Sequence, residues 1–352
     1  MPSSPLPDVA AGVPAQPGPA GARPVSRLLL EAREAITPVL RGIVDDLPGE
    51  LRRVAGYHIG WWDAEGRPTS SAGKVIRPAL TLACARAAGG AATPGVIDAA
   101  VAVELVHDFS LLHDDVMDND TTRRHRPAAW SVFGVDRAIL TGDMLLAAAI
   151  RRLCGTDLVL VLADAVLELG TGQCADLAFE RVSEVSLAEC LAMAEGKTGA
   201  ILGAACELGA RAAGAAASAA LDYRTFGRQL GVAFQIVDDS LSIWGDPLRT
   251  GKPTGNDLAA RKKSLPVAAA LMSDTAAGRE LAGILATTRE FDQATTAHAE
   301  LLVEQAGGRA WAAAEINRRI STALHALTDA APTAGGGAEL RAVATLMTSR
   351  DH

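Results

Sequence analysis

Aromatic residues make up only 4% of this 352-residue chain, and two of them are tyrosines. Runs of β-branched or aromatic residues are few, while Ala and Gly abound, a composition that favours closely packed helices over sheets. Positive charge is also short: 33 Lys and Arg stand against 41 Asp and Glu, a formal net charge of −8. Without a basic surplus or rings for stacking, a nucleic-acid surface is excluded. An anionic substrate must then be met locally, by a few placed cations or by metal. The five cysteines, Cys84, Cys154, Cys174, Cys190 and Cys206, are odd in number and never form a CxxC pair. That excludes a disulfide framework and a zinc site and fits a reducing cytoplasm. Asp98, Glu104 and Asp164 interrupt the apolar stretches, and the N-terminus lacks the basic start and apolar core of a signal peptide. No membrane span is expected, and a soluble, cytoplasmic protein is.

What is present is apolar bulk: 49% of the residues are hydrophobic, enough for a sizeable core. Residues 1–25 carry Pro2, Pro5, Pro7, Pro14, Pro17, Pro19 and Pro24 among Ala, Gly and Ser. Such a mixture neither holds a helix nor buries a core and predicts a disordered extension. From Ser26, a candidate N-cap, helical spacing takes over. Further helices are predicted near 74–89, 94–119, 135–153, 157–180, 186–212, 218–244, 260–273, 276–288, 293–306, 308–328 and 337–349. No stretch alternates as a strand should, and no solenoid repeat is visible. The expectation is an all-α domain over residues 26–352.

One echo crosses the chain: "LLHDDVMD" at 111–118 and "QIVDDSLS" at 235–242 both end apolar helices in paired aspartates. On a helix Asp114 and Asp118 are i and i+4 and share a face, with Asp115 beside them. Like charges so placed repel, and a divalent cation reverses the sign of the interaction. Oxygen ligands with no clustered His or Cys point to Mg²⁺, which keeps waters and shares its shell with substrate phosphates. Asp238 and Asp239 offer a second carboxylate wall. The cations that should complete such a site lie in short rigid contexts: Lys74 and Arg77 in "GKVIRPAL", Arg123 and Arg124 in "DNDTTRRHRP", Lys197 in "EGKTGA", Lys252 in "GKPTGNDL" and Lys262 in "RKKSLP". Arg suits forked bonds to phosphate oxygens and Lys acts as a point charge. Together they describe a cavity for a substrate with several phosphates.

These motifs resemble those of the trans-type isoprenyl diphosphate, or polyprenyl, synthases. The matches run in family order: "GKVIRP" at 73–78, "ELVHDFSLLHDDVMDNDTTRRHRP" at 104–127, "LTGDMLL" at 140–146, "GQCADL" at 172–177, "GKTGA" at 196–200, "FGRQLGVAFQIVDD" at 226–239 and "GDPLRTGKPTGNDLAARKKSLP" at 245–266. The resemblance implies helices around a deep central cavity, a homodimer, and condensation of isopentenyl diphosphate with an allylic diphosphate. It implies that Asp114, Asp115, Asp118 and Asp238, supported by Asp239, hold three Mg²⁺ ions with the substrate diphosphate. Asp114, Asp115, Lys197 and Asp238 would carry the chemistry. Arg123, Lys197, Thr198, Gln235, Lys252 and Lys262 would bind the allylic diphosphate, and Lys74, Arg77, His107 and Arg124 the isopentenyl one. The released pyrophosphate would take the proton.

Three positions depart from the family pattern: Ser242 stands where Asp is usual, and His125 and Arg261 stand where Gly is usual. Product length should follow from the cavity floor beneath Asp114, reached at ~1.5 Å per helical residue. Phe109 and Ser110 lie five and four residues before Asp114, and a ring at that depth resembles short-product enzymes, geranylgeranyl (C20) with farnesyl (C15) as close rival. A class I terpene cyclase would have no use for Lys74, Arg77 and Arg124. A degenerate, non-catalytic partner subunit is the remaining alternative, favoured by Ser242 and His125. The Pro-rich residues 1–25 resemble the address segments of synthases carried as cargo in encapsulin-type shells, which would enclose the enzyme in a nanocompartment.

Overall fold

The computed structural model describes residues 23–69, 73–182, 184–245, 255–287 and 291–349. Most of the extension expected over residues 1–25 therefore lies outside the described residues. The fold is all-α. Its first half comprises α1 (Val25–Asp45), α2 (Gly49–Ile59), α3 (Ile76–Ala87), α4 (Pro94–Met117), α5 (Ala129–Phe133), α6 (Val135–Leu153) and α7 (Leu158–Phe179). A hairpin of two-residue strands, β1 (Thr122–Arg123) and β2 (Arg126–Pro127), follows α4. The second half comprises α8 (Leu187–Ala194), a wide i→i+5 turn (Glu195–Gly199), α9 (Ala200–Ala212), α10 (Ala217–Trp244), α11 (Asn256–Ala259), α12 (Leu265–Leu271), α13 (Ala276–Leu285), α14 (Gln293–Gln305), α15 (Gly308–Asp329) and α16 (Ala334–Thr348).

Two helices are buried on every side. Residues Ala99–Val106 of α4 and Ala200–Ala210 of α9 are buried without a break, as their lack of a polar face requires. Thr93 caps α4, its hydroxyl accepting from the Val96 amide, and Pro94 supplies a first-turn residue with no amide to satisfy. Helices α3, α6, α7 and α10 pack around this pair, and α15 backs α10. Small residues set the spacing: at Gly227 on α10 a Cβ would run into the Leu202 carbonyl of α9. The arrangement delivers the C-terminal ends of α4 and α10, each carrying an acidic cluster, to the site.

The structure amends several expectations. The first helix opens at Val25, with Pro24 rather than Ser26 at its N-cap. Helix α2 is additional, bounded by Pro48 and by Gly60 at φ 91°. The segment 74–89 becomes helical only at Ile76, because Val75 sits at φ 51°. The segment 260–273 begins its helix at Leu265, with Pro266 in the first turn, and the segment 186–212 is interrupted by the wide turn. Contrary to the reading of the apolar runs, α7 is long and apolar enough to cross a membrane by length and composition alone. Its Glu168 pairs with Arg224 and Arg228 of α10, and its Asp176 with Lys197, which ties it into the bundle.

Candidate active site

Helix α4 ends at Met117 and Asp118 is its C-cap, its amide bonded to the Asp114 carbonyl at 2.8 Å. The two carboxylates stay close enough to matter. Burial, reinforced by Asp118 and Asp176 and opposed by Lys197 and Arg123, pushes the Asp114 carboxyl up to about 6. Burial raises Asp118 as well, with Lys197 and Lys262 opposing. The charges of Lys197 and Lys262 thus act on the first cluster from elements more than seventy residues away in the chain.

Asp115 is only 1% exposed, and its Oδ1 accepts from Arg123 Nε at 2.8 Å. Its Oδ2 is buried and has no hydrogen-bond partner among the described residues. Arg123 belongs to β1, and Arg124 and His125 form the hairpin turn at φ 52° and 61°. Three aromatic residues pin this hairpin. Tyr57 donates its hydroxyl to the Pro127 carbonyl at 2.7 Å, Arg126 donates to the Trp62 carbonyl at 3.0 Å, and the Trp130 indole donates to the Asp120 carbonyl at 2.8 Å.

The turn carries Arg124 against the "GKVIRP" loop, where a Cβ on Gly73 would lie 3.0 Å from the guanidinium. Arg33 holds the same loop through the Gly73 carbonyl at 2.7 Å. Lys74 is exposed just before α3, and Arg77 is in its first turn. Burial, with Arg124 adding, draws the Arg77 guanidinium below its ordinary value, while Glu104, Asp108 and Asp238 oppose this. His107 is held well below the usual imidazole range by burial and then by Arg77 and Arg124, which favours its neutral form. Beneath these groups lies a cavity of about 200 Å³ lined by Arg33, Arg41, Trp61, Glu104, Asp108 and Arg124.

The other side is built on the wide turn. Gly172 of α7 leaves no room for a Cβ against the Lys197 amide, so the two backbones touch. Lys197 Nζ donates to Asp176 Oδ2 at 2.6 Å. Thr198 donates its hydroxyl to Gln235 Oε1 at 2.8 Å, and Gln235 Nε2 donates to Asp239 Oδ1 at 2.8 Å. The remaining Asp239 oxygen accepts from the Leu265 amide at 2.8 Å and so fixes the start of α12. A cavity of about 140 Å³ here is bordered by Asp176, Lys197, Gln235, Asp239, Arg261 and Lys262. Asp238 is exposed on α10, and the Ser242 hydroxyl donates to the Asp239 carbonyl at 2.8 Å. Lys252 lies outside the described residues.

Deeper along α4, the Phe109 ring meets His113 edge-on at 4.7 Å, and His113 Nε2 lies 3.0 Å from the Ile139 carbonyl of α6. The Ser110 hydroxyl is bound to the His107 carbonyl at 2.8 Å. Two residues of the site were not singled out from sequence: Asp176, which sits in plain view in "GQCADL", and Glu104, whose burial raises its carboxyl to about 7. The motif gave Asp176 a place in the family pattern but no partner.

The donor set is compatible with a hard cation. Two features leave room for a cation: the buried Asp115 Oδ2 has no hydrogen-bond partner among the described residues, and burial penalises the charged form of Asp114, a cost that a bound cation would offset. Among the described residues no three carboxylate, His or Cys side chains converge as a ready cage.

An all-α bundle that gathers Lys197 and Lys262 on one cavity with Asp176 and Asp239 has the charge layout of a site for an anion held together with a cation. Comparison with known proteins makes the class specific. The polyprenyl synthetase family profile matches residues 67–302. A (2E,6E)-farnesyl diphosphate synthase of Mycobacterium tuberculosis H37Rv is 46% identical over 304 residues, 83% of this chain and 84% of the relative. A geranylgeranyl diphosphate synthase of the same organism is 45% identical over 314 residues, 86% of this chain and 89% of the relative. The crystal structure of a polyprenyl synthetase from Streptomyces coelicolor A3(2) superposes with a TM-score of 0.88 at 43% identity, covering 92% of this chain and all of that one. The chain belongs to the polyprenyl synthetase family.

Proposed function

We propose that this protein is a prenyltransferase that joins isopentenyl diphosphate to an allylic diphosphate, giving a short-chain trans-prenyl diphosphate and pyrophosphate. The observation that carries the reading is the cavity bordered by Lys197, Lys262, Asp176 and Asp239, with Lys197 Nζ bonded to Asp176 at 2.6 Å. Asp114, Asp118 and Asp238 would hold Mg²⁺, with Asp115 and Asp239 fixing the groups around them. When bound, Mg²⁺ would stabilise charge on the departing pyrophosphate.

Arg123, Lys197 and Lys262 supply fixed positive charge to the allylic diphosphate, which favours cleavage of the C–O bond. Thr198 and Gln235 hold the turn beside it. Lys74, Arg77, Arg124 and neutral His107 grip the isopentenyl diphosphate, so its double bond is held for attack on the allylic cation. One C–C bond forms, one proton is lost, and the released pyrophosphate is the base within reach.

Phe109 points to a C20 product, with C15 as the alternative, and relatives of both kinds match almost equally well. Purified protein with Mg²⁺, isopentenyl diphosphate and each of the C5, C10 and C15 allylic primers should yield one discrete product by mass, and Phe109→Ala should lengthen it. No turnover with any primer would favour the non-catalytic subunit.

A homodimer is proposed through α6 and α7, which expose Leu140, Met144, Ile150, Leu160 and Leu167, the last at 70%. Light scattering should give twice the chain mass. Delivery to an encapsulin-type shell rests on the composition of residues 1–25, and their fusion to an unrelated protein should co-purify with the shell.

A further inference from the structure

Arg319 is a buried guanidinium, 5% exposed, on α15, a helix that supplies none of the groups placed in the site above. It touches three acceptors on three elements. Its Nε donates to Glu315 Oε1 at 2.8 Å within α15, and its Nη1 donates to Glu195 Oε1 at 2.7 Å and to Gln229 Oε1 at 3.2 Å. Glu315 is itself held by Arg318 at 2.7 Å. A buried arginine so paired is fixed in place, because losing any partner would leave charge uncompensated.

Glu195 is the first residue of the wide turn, and the Ala200 amide closes that turn on the Glu195 carbonyl. Inserting a residue into a helix re-aims the side chains that follow and has to be stabilised by contacts outside the turn. Two and three residues on, Lys197 reaches Asp176 and Thr198 reaches Gln235. Gln229 lies on the same helix as Gln235, so Arg319 ties both halves of this contact to one point.

We propose that Arg319 is a positioning residue for the allylic-diphosphate site: acting through Glu195, it holds the wide turn in the register that presents Lys197 and Thr198. The inference rests on the role given to Lys197 and Thr198 above.

The test compares Arg319→Met, Arg319→Lys, Glu195→Gln and, as reference, Lys197→Ala, measuring kcat and the KM for each substrate separately, with Tm for folding. Arg319→Met should raise the allylic KM roughly tenfold and leave the isopentenyl KM within about twofold. Glu195→Gln should shift in the same direction by less, and Arg319→Lys should recover part of the loss. A Glu195→Gln enzyme with both KM values unchanged, or with both raised equally, overturns the inference. That variant decides alone if Arg319→Met does not fold, since the Glu195 side chain is 38% exposed and Gln keeps its shape and an acceptor oxygen for Arg319. An unchanged allylic KM in Lys197→Ala would instead remove the site assignment itself.

Discussion

The ends of α4 and α10 read alike in sequence, yet they are built for different work. In each pair of aspartates the second is buried and holds a neighbour: Asp115 binds Arg123, and Asp239, 8% exposed, binds Gln235 and the start of α12. The first of each pair is the more open one. Here the likeness ends. Asp114 is backed by Asp118 and Asp176 and by burial, which together raise its carboxyl to about 6. Asp238 stands exposed, and the group one turn beyond it, Ser242, donates its hydroxyl to the backbone. The α4 end concentrates negative charge where a cation gains most, whereas the α10 end gives much of its polar capacity to scaffolding. A repeated motif need not be a repeated function.

The largest effects should separate the two ends directly. Asp114→Asn is expected to lower kcat/KM on the order of a thousandfold, and Asp238→Asn roughly a hundredfold, read by product formation at saturating Mg²⁺. Equal losses would break the comparison. A smaller effect should sharpen it: Ser242→Asp restores a carboxylate at i+4 from Asp238 and should lower the half-saturating Mg²⁺ concentration about threefold. If that concentration does not move, the position of Ser242 takes no part in metal binding and Asp238 alone serves the metal at the α10 end.

Much of the α4 end was legible because its carboxylates and arginines are neighbours in the chain, and the fold class because Ala, Gly and Leu recur at helical spacing. Other features were not. Periodicity gives the angle of Asp115 and Asp239 on a helix but not that Arg123 or the Leu265 amide waits there. The wide turn was read as plain helix because a one-residue insertion has no compositional signature. Asp176 acquires meaning only beside Lys197, on another helix. The hairpin carrying Arg123 has strands of two residues, too short to show a period of two. Asp164 was taken to break an apolar run that is nonetheless helix-long in α7.

The smallest expected effect concerns His125 and Arg261, which replace the glycines usual in the family pattern. Both sit in the left-handed region, at φ 61° and 55°. There a Cβ crowds the following carbonyl, and Gly avoids this but frees the unfolded chain, so the two terms largely offset. His tolerates this region better than most residues, and His125→Gly should change stability by only ~0.5 kcal/mol, with neither KM altered. Arg261→Gly relieves more strain but removes the guanidinium stacked 4.9 Å over Phe291, a contact worth about 0.5–1 kcal/mol, so its Tm should also stay nearly constant. The two substitutions part company in binding. Arg261 borders the cavity shared by Lys197 and Lys262, so its loss should raise the allylic KM about threefold while His125→Gly leaves it alone. If Arg261→Gly instead raises Tm by several degrees with KM unchanged, the arginine is strain without benefit, and the cation supply of the α10 side rests on its lysines alone.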